Sequence, residues 1–281
     1  MGLPIDGHFF RFGLVFFRNH GVQMRPRPYT MIRESVSIEG LREATLQISV
    51  LIVKILILIG FSLVFIAVFQ HIRAQIPLFT DRLYIDYPIY LDSLLFGSVP
   101  SQWLQNNIRS DTLAVLCRFI YYSYGFVLLL GLTIVYFLNL NYKKYLVALS
   151  LTIMIGLAIN YIIPTTPPWM SLTGVIRYKG EYITQLDKNL HAAMPSLHQS
   201  VIAIFSFAVF RRTFISYLLI LSYNLSMSFS LVYLGEHYVV DVLLGFMIAW
   251  LIWYGCTCQS YLALHTRRLR KVIRNCSLHV F

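Results

Sequence analysis

Charge is what this chain is short of. Only 12% of its 281 residues are Asp, Glu, Lys or Arg, and the acids are the scarcer half, 12 against 23 basic residues. A soluble domain carries about twice that share of charge, so a water-soluble enzyme or binding module is excluded. Cysteine is scarce as well. Cys117, Cys256 and Cys258 lie in or beside apolar runs and Cys276 in a basic tail, which gives no disulfide framework, and Cys256-Thr257-Cys258 lacks metal-ligand spacing. The acids never gather into a carboxylate cluster, so neither a metal nor a cofactor is expected. Nor do the bases form a continuous face. The formal charge of +11 is spread between and outside apolar runs, which excludes nucleic acid as a partner. No cleavable secretory signal is expected, since the apolar patch at Phe9–Phe17 is short and broken by Arg11.

What the chain has in place of charge is apolar length. Hydrophobic residues make up 57% of it, and they fall into runs at about 46–69, 112–138, 145–163, 195–210, 213–234 and 237–256. A bilayer core needs roughly 20 residues of helix. The expected fold is therefore an all-α integral membrane protein, a six-transmembrane-helix bundle. Residues 71–111 contain two helix-like pieces, read as interfacial helices in the first outer loop, placed there either as a lid or as a plug of the bundle mouth. The domain limits expected are a basic N-terminal extension at 1–45, a six-span catalytic membrane domain at 46–260 and a basic cytosolic tail at 261–281. Lys54, inside the first run, has a stem long enough to reach the nearer interface. Arg118, inside the second, either pairs with an acid of the 71–111 loop or meets a phosphate. Six spans put both termini, Lys143–Lys144 and Arg211–Arg212 on one side, and most of the basic residues with them. The positive-inside rule makes that side cytosolic.

Two polar clusters interrupt the apolar pattern, and an out-and-back pair of spans between them would return the chain to the side it left. The first is Ala193-Met194-Pro195-Ser196-Leu197-His198. Pro195 suits the first turn of a helix, and the N–H groups of Ser196, Leu197 and His198 would then be free to meet an anion. Ser196 adds a hydroxyl donor, and His198 an imidazole able to protonate a leaving oxygen. The second cluster is Gly235-Glu236-His237-Tyr238-Val239-Val240-Asp241. Spaced four apart, His237 and Asp241 share a helix face. A carboxylate on one ring nitrogen leaves the other free as a nucleophile. Glu236, beside His237 but on another face, reads as an exposed turn residue, with the orienting of an acceptor hydroxyl as its alternative. Both clusters fall on the non-cytosolic side.

These residues carry a resemblance. Ser230–Gly245, SLVYLGEHYVVDVLLG, resembles the third signature of the phosphatidic acid phosphatase type 2 superfamily, and AMPSLH resembles its second. The resemblance implies His237 as the phosphoryl-accepting nucleophile, Asp241 as its orienter and His198 as the general acid. PSLH and Pro164-Thr165-Thr166-Pro167-Pro168-Trp169 resemble the branch containing inositol-phosphorylceramide synthases. Two phosphate clamps of the phosphatase pattern, three cations in all, are absent: Leu231 stands where an Arg is found, and Ile159 and Thr166 stand where a Lys and an Arg are found. The anion would then be held by the helix start, Ser196, and Arg177 or Lys179. The function expected is lipid phosphotransfer through phosphohistidine, on a phospholipid or other lipid phosphate in the membrane, with an alcohol or lipid acceptor. The alternatives are a lipid-phosphate or polyprenyl-phosphate phosphatase and, from another class, a non-enzymatic membrane protein with two His ligands to haem.

Overall fold

The computed structural model describes residues 38–79, 82–178, 191–211 and 213–277. The extension up to residue 37 and residues 179–190, Lys179 among them, lie outside that set. The chain divides into two units, residues 1–47 and 48–281, and the bundle belongs to the second. Among the described residues every regular element is a helix, and the sole extended pairing is an isolated bridge between Thr165 and Ala192. The helices are α1 (Ile38–Gln75), α2 (Asp86–Phe96), α3 (Pro100–Asn107), α4 (Asp111–Phe137), α5 (Tyr142–Ile162), the one-turn α6 (Pro168–Ser171), α7 (Leu197–Val209), α8 (Phe214–Tyr233) and α9 (Val239–Ser277).

Polar residues at the ends of the apolar runs set where the helices begin. Ser110, Asn141, Ser196 and Thr213 are N-caps, each accepting from the backbone N–H three residues on and so satisfying one orphan donor. Asn139, at φ 55°, turns the chain between α4 and α5, a conformation Asn tolerates better than most residues.

Among the described residues five helices are long and apolar enough to cross a membrane: Leu41–Leu78, Asp111–Phe137, Tyr142–Ile162, Phe214–Tyr233 and Val239–Cys258. The expectation of six full spans is not met at α7. It has 13 residues, a rise of about 20 Å against a hydrocarbon core of about 30 Å. Its first residues are not at a surface, because Ser196 and Leu197 are buried within the bundle.

α7 is the central helix. Val201, Ile202, Ala203 and Ile204 are all fully buried, and it packs on α4, α5, α8 and α9. Apolar side chains gain little by leaving lipid for protein, so close approach and interhelical hydrogen bonds have to hold such a bundle. Both are present. Gln199 donates to Asn224 at 3.1 Å, Asn224 donates to Ser206 at 2.9 Å, and Ser228 donates to Gln199 at 3.1 Å. Gly245 lets α9 approach the start of α7 so closely that a Cβ there would lie 2.3 Å from the Ser196 carbonyl oxygen.

The two helical pieces expected in 71–111 are α2 and α3, and both are docked. Asp92 and Gln105 are buried, and α2 packs on α9 and α3 on α8. Gln105 donates to the carbonyls of Tyr233 and Ile176 and accepts from the Ile176 N–H. α1, by contrast, turns most of its large side chains outward, and Lys54 on it is exposed.

Candidate active site

The site is built where α9 begins. α8 ends at Tyr233, and Gly235 just beyond it has a φ of 74°, the left-handed conformation that glycine adopts without strain. The Leu231 carbonyl then accepts from both the Glu236 and His237 N–H groups, folding those residues back into the bundle. The sequence places His237 and Asp241 on one helix face, but the helix begins only at Val239, so His237 precedes it. Capping brings the pair together instead. Asp241, third residue of the helix, reaches back to accept from the Tyr238 N–H at 2.9 Å, which is half of a capping box. The same carboxylate oxygen lies 3.6 Å from His237 Nδ1, within ion-pair range but long for a hydrogen bond.

On the other side of the His237 ring, Nε2 is 3.3 Å from Nδ1 of His198. Carboxylate, nucleophile candidate and acid candidate thus form a line. His237 is 4% exposed and Asp241 is fully buried. The rings of Tyr121 and Tyr124 pack on His198 with centroids 4.8 Å and 4.4 Å away.

Several expectations change at the start of α7. Pro195 lies outside the helix and Ser196 is its N-cap. The Ser196 N–H is not free, since it donates to the Asp241 carbonyl at 3.0 Å, and the Ser196 hydroxyl accepts from the Gln199 N–H. Ser196 ties the two halves of the site together. Met194 is bound in turn through its N–H to the Thr165 hydroxyl at 2.8 Å, which ties the Pro-Thr-Thr-Pro-Pro stretch to the segment that leads into α7.

Glu236 is not an exposed turn residue. It is 7% exposed and forms a two-point ion pair with Arg177, Nε to Oε1 at 2.7 Å and a second guanidinium nitrogen to Oε2 at 3.3 Å. The guanidinium also lies 4.3 Å above the Trp169 ring. The turn after α8 had to fold inward for this, and nothing in the spacing of Glu236 announces it. Arg177 therefore stands beside the site with its charge largely matched by Glu236. Lys179 is outside the described residues.

Asp92 is the residue that sequence reasoning missed. Both its carboxylate oxygens accept from the start of α9, from the Val239 and Val240 N–H groups, each at 3.0 Å. Burial pushes its pKa up to about 6, against those two hydrogen bonds, which pull it down. The signal for it was an acid in the otherwise apolar stretch Leu91-Asp92-Ser93-Leu94-Leu95. Together Asp92 and Asp241 accept from the Tyr238, Val239 and Val240 N–H groups at that helix start. Arg118 is half-buried and, among the described residues, has no hydrogen bond or ion pair, so Asp86, Asp92 and Asp111 are not its partners. Among the described residues no three His, Cys, Asp or Glu side chains gather at metal-binding distance.

A family model described as the PAP2 superfamily matches residues 89–255, the stretch from α2 through the span of α9. No curated protein matches the chain. The crystal structure of Aquifex aeolicus LpxE is similar at 18% identity and a TM-score of 0.47, covering 55% of this chain and 90% of that one, a likeness too loose to bear on chemistry.

Proposed function

The chain belongs to the PAP2 superfamily, and from that premise we propose that it is a membrane enzyme acting on a lipid phosphate ester, moving a phosphate or phospho-head group through a phosphohistidine on His237. One observation supports this above the rest: the line from Asp241 to His237 Nδ1 and from His237 Nε2 to His198. In the reading, His237 Nε2 attacks phosphorus while its Nδ1–H is held toward Asp241. The P–O bond to the leaving alcohol breaks, and His198 gives that oxygen its proton. An incoming hydroxyl then loses its proton to His198 and attacks the phosphohistidine, which releases His237. The two rings are in direct contact at rest, so that contact opens to admit phosphorus. Arg177, Lys179 and Ser196 border the anion in this proposal, and the chemistry asks for no metal.

Water as the second acceptor makes the enzyme a phosphatase, and an alcohol makes it a transferase. The absent guanidinium at Leu231 and the Pro164–Trp169 stretch favour the transferase. α7, short as it is, together with the buried segment before it, completes a sixth crossing. Both termini are then cytosolic, the site is non-cytosolic, and α2 and α3 lie at the interface over it.

The test uses purified full-length chain with labelled lipid phosphates and phosphodiesters, with and without an alcohol acceptor. Acid-labile label is expected on the protein, absent in His237→Ala and slow to form in His198→Ala. Label retained on the His237→Ala variant sinks the assignment. Activity lost to a chelator and restored by zinc or magnesium sinks the metal-independent mechanism.

A further inference from the structure

A phosphate held between two imidazoles still carries negative charge, and the site as built is short of uncompensated cations. Leu231 is buried where a guanidinium would otherwise sit, and Arg177 is matched by Glu236. α4 supplies another. Arg118, Tyr121 and Tyr122 are three and four residues apart, so they stack along one side of that helix. The Tyr121 ring lies against His198, centroids 4.8 Å apart. Arg118 is one turn nearer the start of α4, and that end is fixed at the site's end of the bundle: the Tyr233 hydroxyl donates to the Ile108 carbonyl at 2.9 Å and accepts from the Ser110 N–H at 3.0 Å. Arg118 thus lies between the imidazoles and the end of the bundle that α3 covers. The Tyr122 hydroxyl falls within electrostatic reach of Arg118, Arg177 and Glu236 alike.

A guanidinium inside a membrane span is costly and persists where an anion meets it. We infer that Arg118, with Tyr122 beside it, is the cationic subsite that holds the phosphate anion of the substrate above His198. The inference rests on the function proposed above and assigns a residue to it. Arg118 is suited to this because its planar fork can take two oxygens of one phosphate. Tyr122 contributes a neutral hydroxyl donor. Neither residue takes part in bond making.

Inorganic phosphate is the probe, titrated into full-length protein in maltoside detergent and read by 31P line broadening, so that no turnover is needed. Binding to wild type is expected to weaken at least ten-fold in Arg118→Gln, about two- to five-fold in Tyr122→Phe, and not at all in Lys54→Gln, whose charge is exposed on α1. Arg118→Lys, which keeps the charge and loses the fork, is expected to fall between. If Arg118→Gln does not fold, Arg118→Lys decides: several-fold weaker binding supports the subsite, unchanged binding overturns it. A second arm adds anionic phospholipid to the micelles. Wild-type binding that persists there supports a substrate subsite. Phosphate displaced in proportion to bulk lipid, with the Arg118→Gln difference abolished, makes Arg118 a surface anchor and overturns the inference. A protein that binds phosphate through Arg118 yet never becomes labelled on His237 leaves the subsite standing and removes the enzymatic reading.

Discussion

An imidazole is a nucleophile only through a ring nitrogen whose lone pair is free, and a carboxylate on the opposite nitrogen is what keeps it so. In this protein that carboxylate also caps a helix: Asp241 Oδ2 faces both His237 Nδ1 and the Tyr238 N–H. The two roles separate by substitution. In Asp241→Asn the amide oxygen still accepts from Tyr238, so stability should change by about 1 kcal/mol or less, while the lost charge should cut turnover by roughly 10²–10⁴-fold. Comparing kcat with thermal stability of the same variant checks both halves, and a variant with near wild-type turnover removes Asp241 from the mechanism. Asp92 behaves differently because it is a buried acid with its pKa raised from 3.8 to about 6. Its folded form binds a proton more tightly than its unfolded form, so its ionisation costs stability. That cost is absent below about pH 4, grows as pH rises towards 6 and is constant above it. Melting temperatures of wild type should therefore fall across that window relative to Asp92→Asn. Parallel curves for the two proteins would show that Asp92 does not titrate there.

At the scale of elements, the site exists because three helix ends are locked to one another. The Ser196 N–H is bound to the Asp241 carbonyl, the Ser200 hydroxyl donates to the carbonyls of Ser196 and Gly245 at 2.9 Å each, and Asp92 of α2 caps α9. Gly245 is the point of closest approach. A Cβ there would meet the Ser196 carbonyl oxygen at 2.3 Å and the Ser200 hydroxyl at 2.9 Å, and the first of these is backbone that cannot swing aside. Gly245→Ala should destabilise by about 1–3 kcal/mol and should lower activity further, because α7 carries His198. A scan of melting temperature and turnover tests this, and an alanine accommodated without loss of either would mean that α7 and α9 are not held at that distance.

For the whole molecule the question is on which side each loop lies. Among the described residues five helices are long enough to cross, and α7 at 13 residues decides whether the number of crossings among them is even. If it completes a sixth, the α4–α5 turn and the α7–α8 turn share a side. Cysteines placed at Lys143 and Arg211, in a chain freed of its own cysteines, should react together with an impermeant maleimide, and one at exposed Thr173 should react from the opposite side. Labelling of Lys143→Cys and Arg211→Cys from different sides would break the six-crossing reading.

Much of this was legible beforehand. Low charge and long apolar runs determine a helical membrane protein, because a bilayer accepts few other backbones. The His-Asp pair and the Pro-Ser-Leu-His start mark where a site is proposed, since such groups are costly in a membrane without a use. Spacing could not decide how they meet. His237 precedes its helix and reaches Asp241 through a cap, Glu236 turns inward to Arg177, and Asp92 arrives from about 150 residues away in the chain. Those three outcomes depend on where a turn bends and which helix end docks on which. Such contacts are made between elements, so they are settled only when the bundle closes.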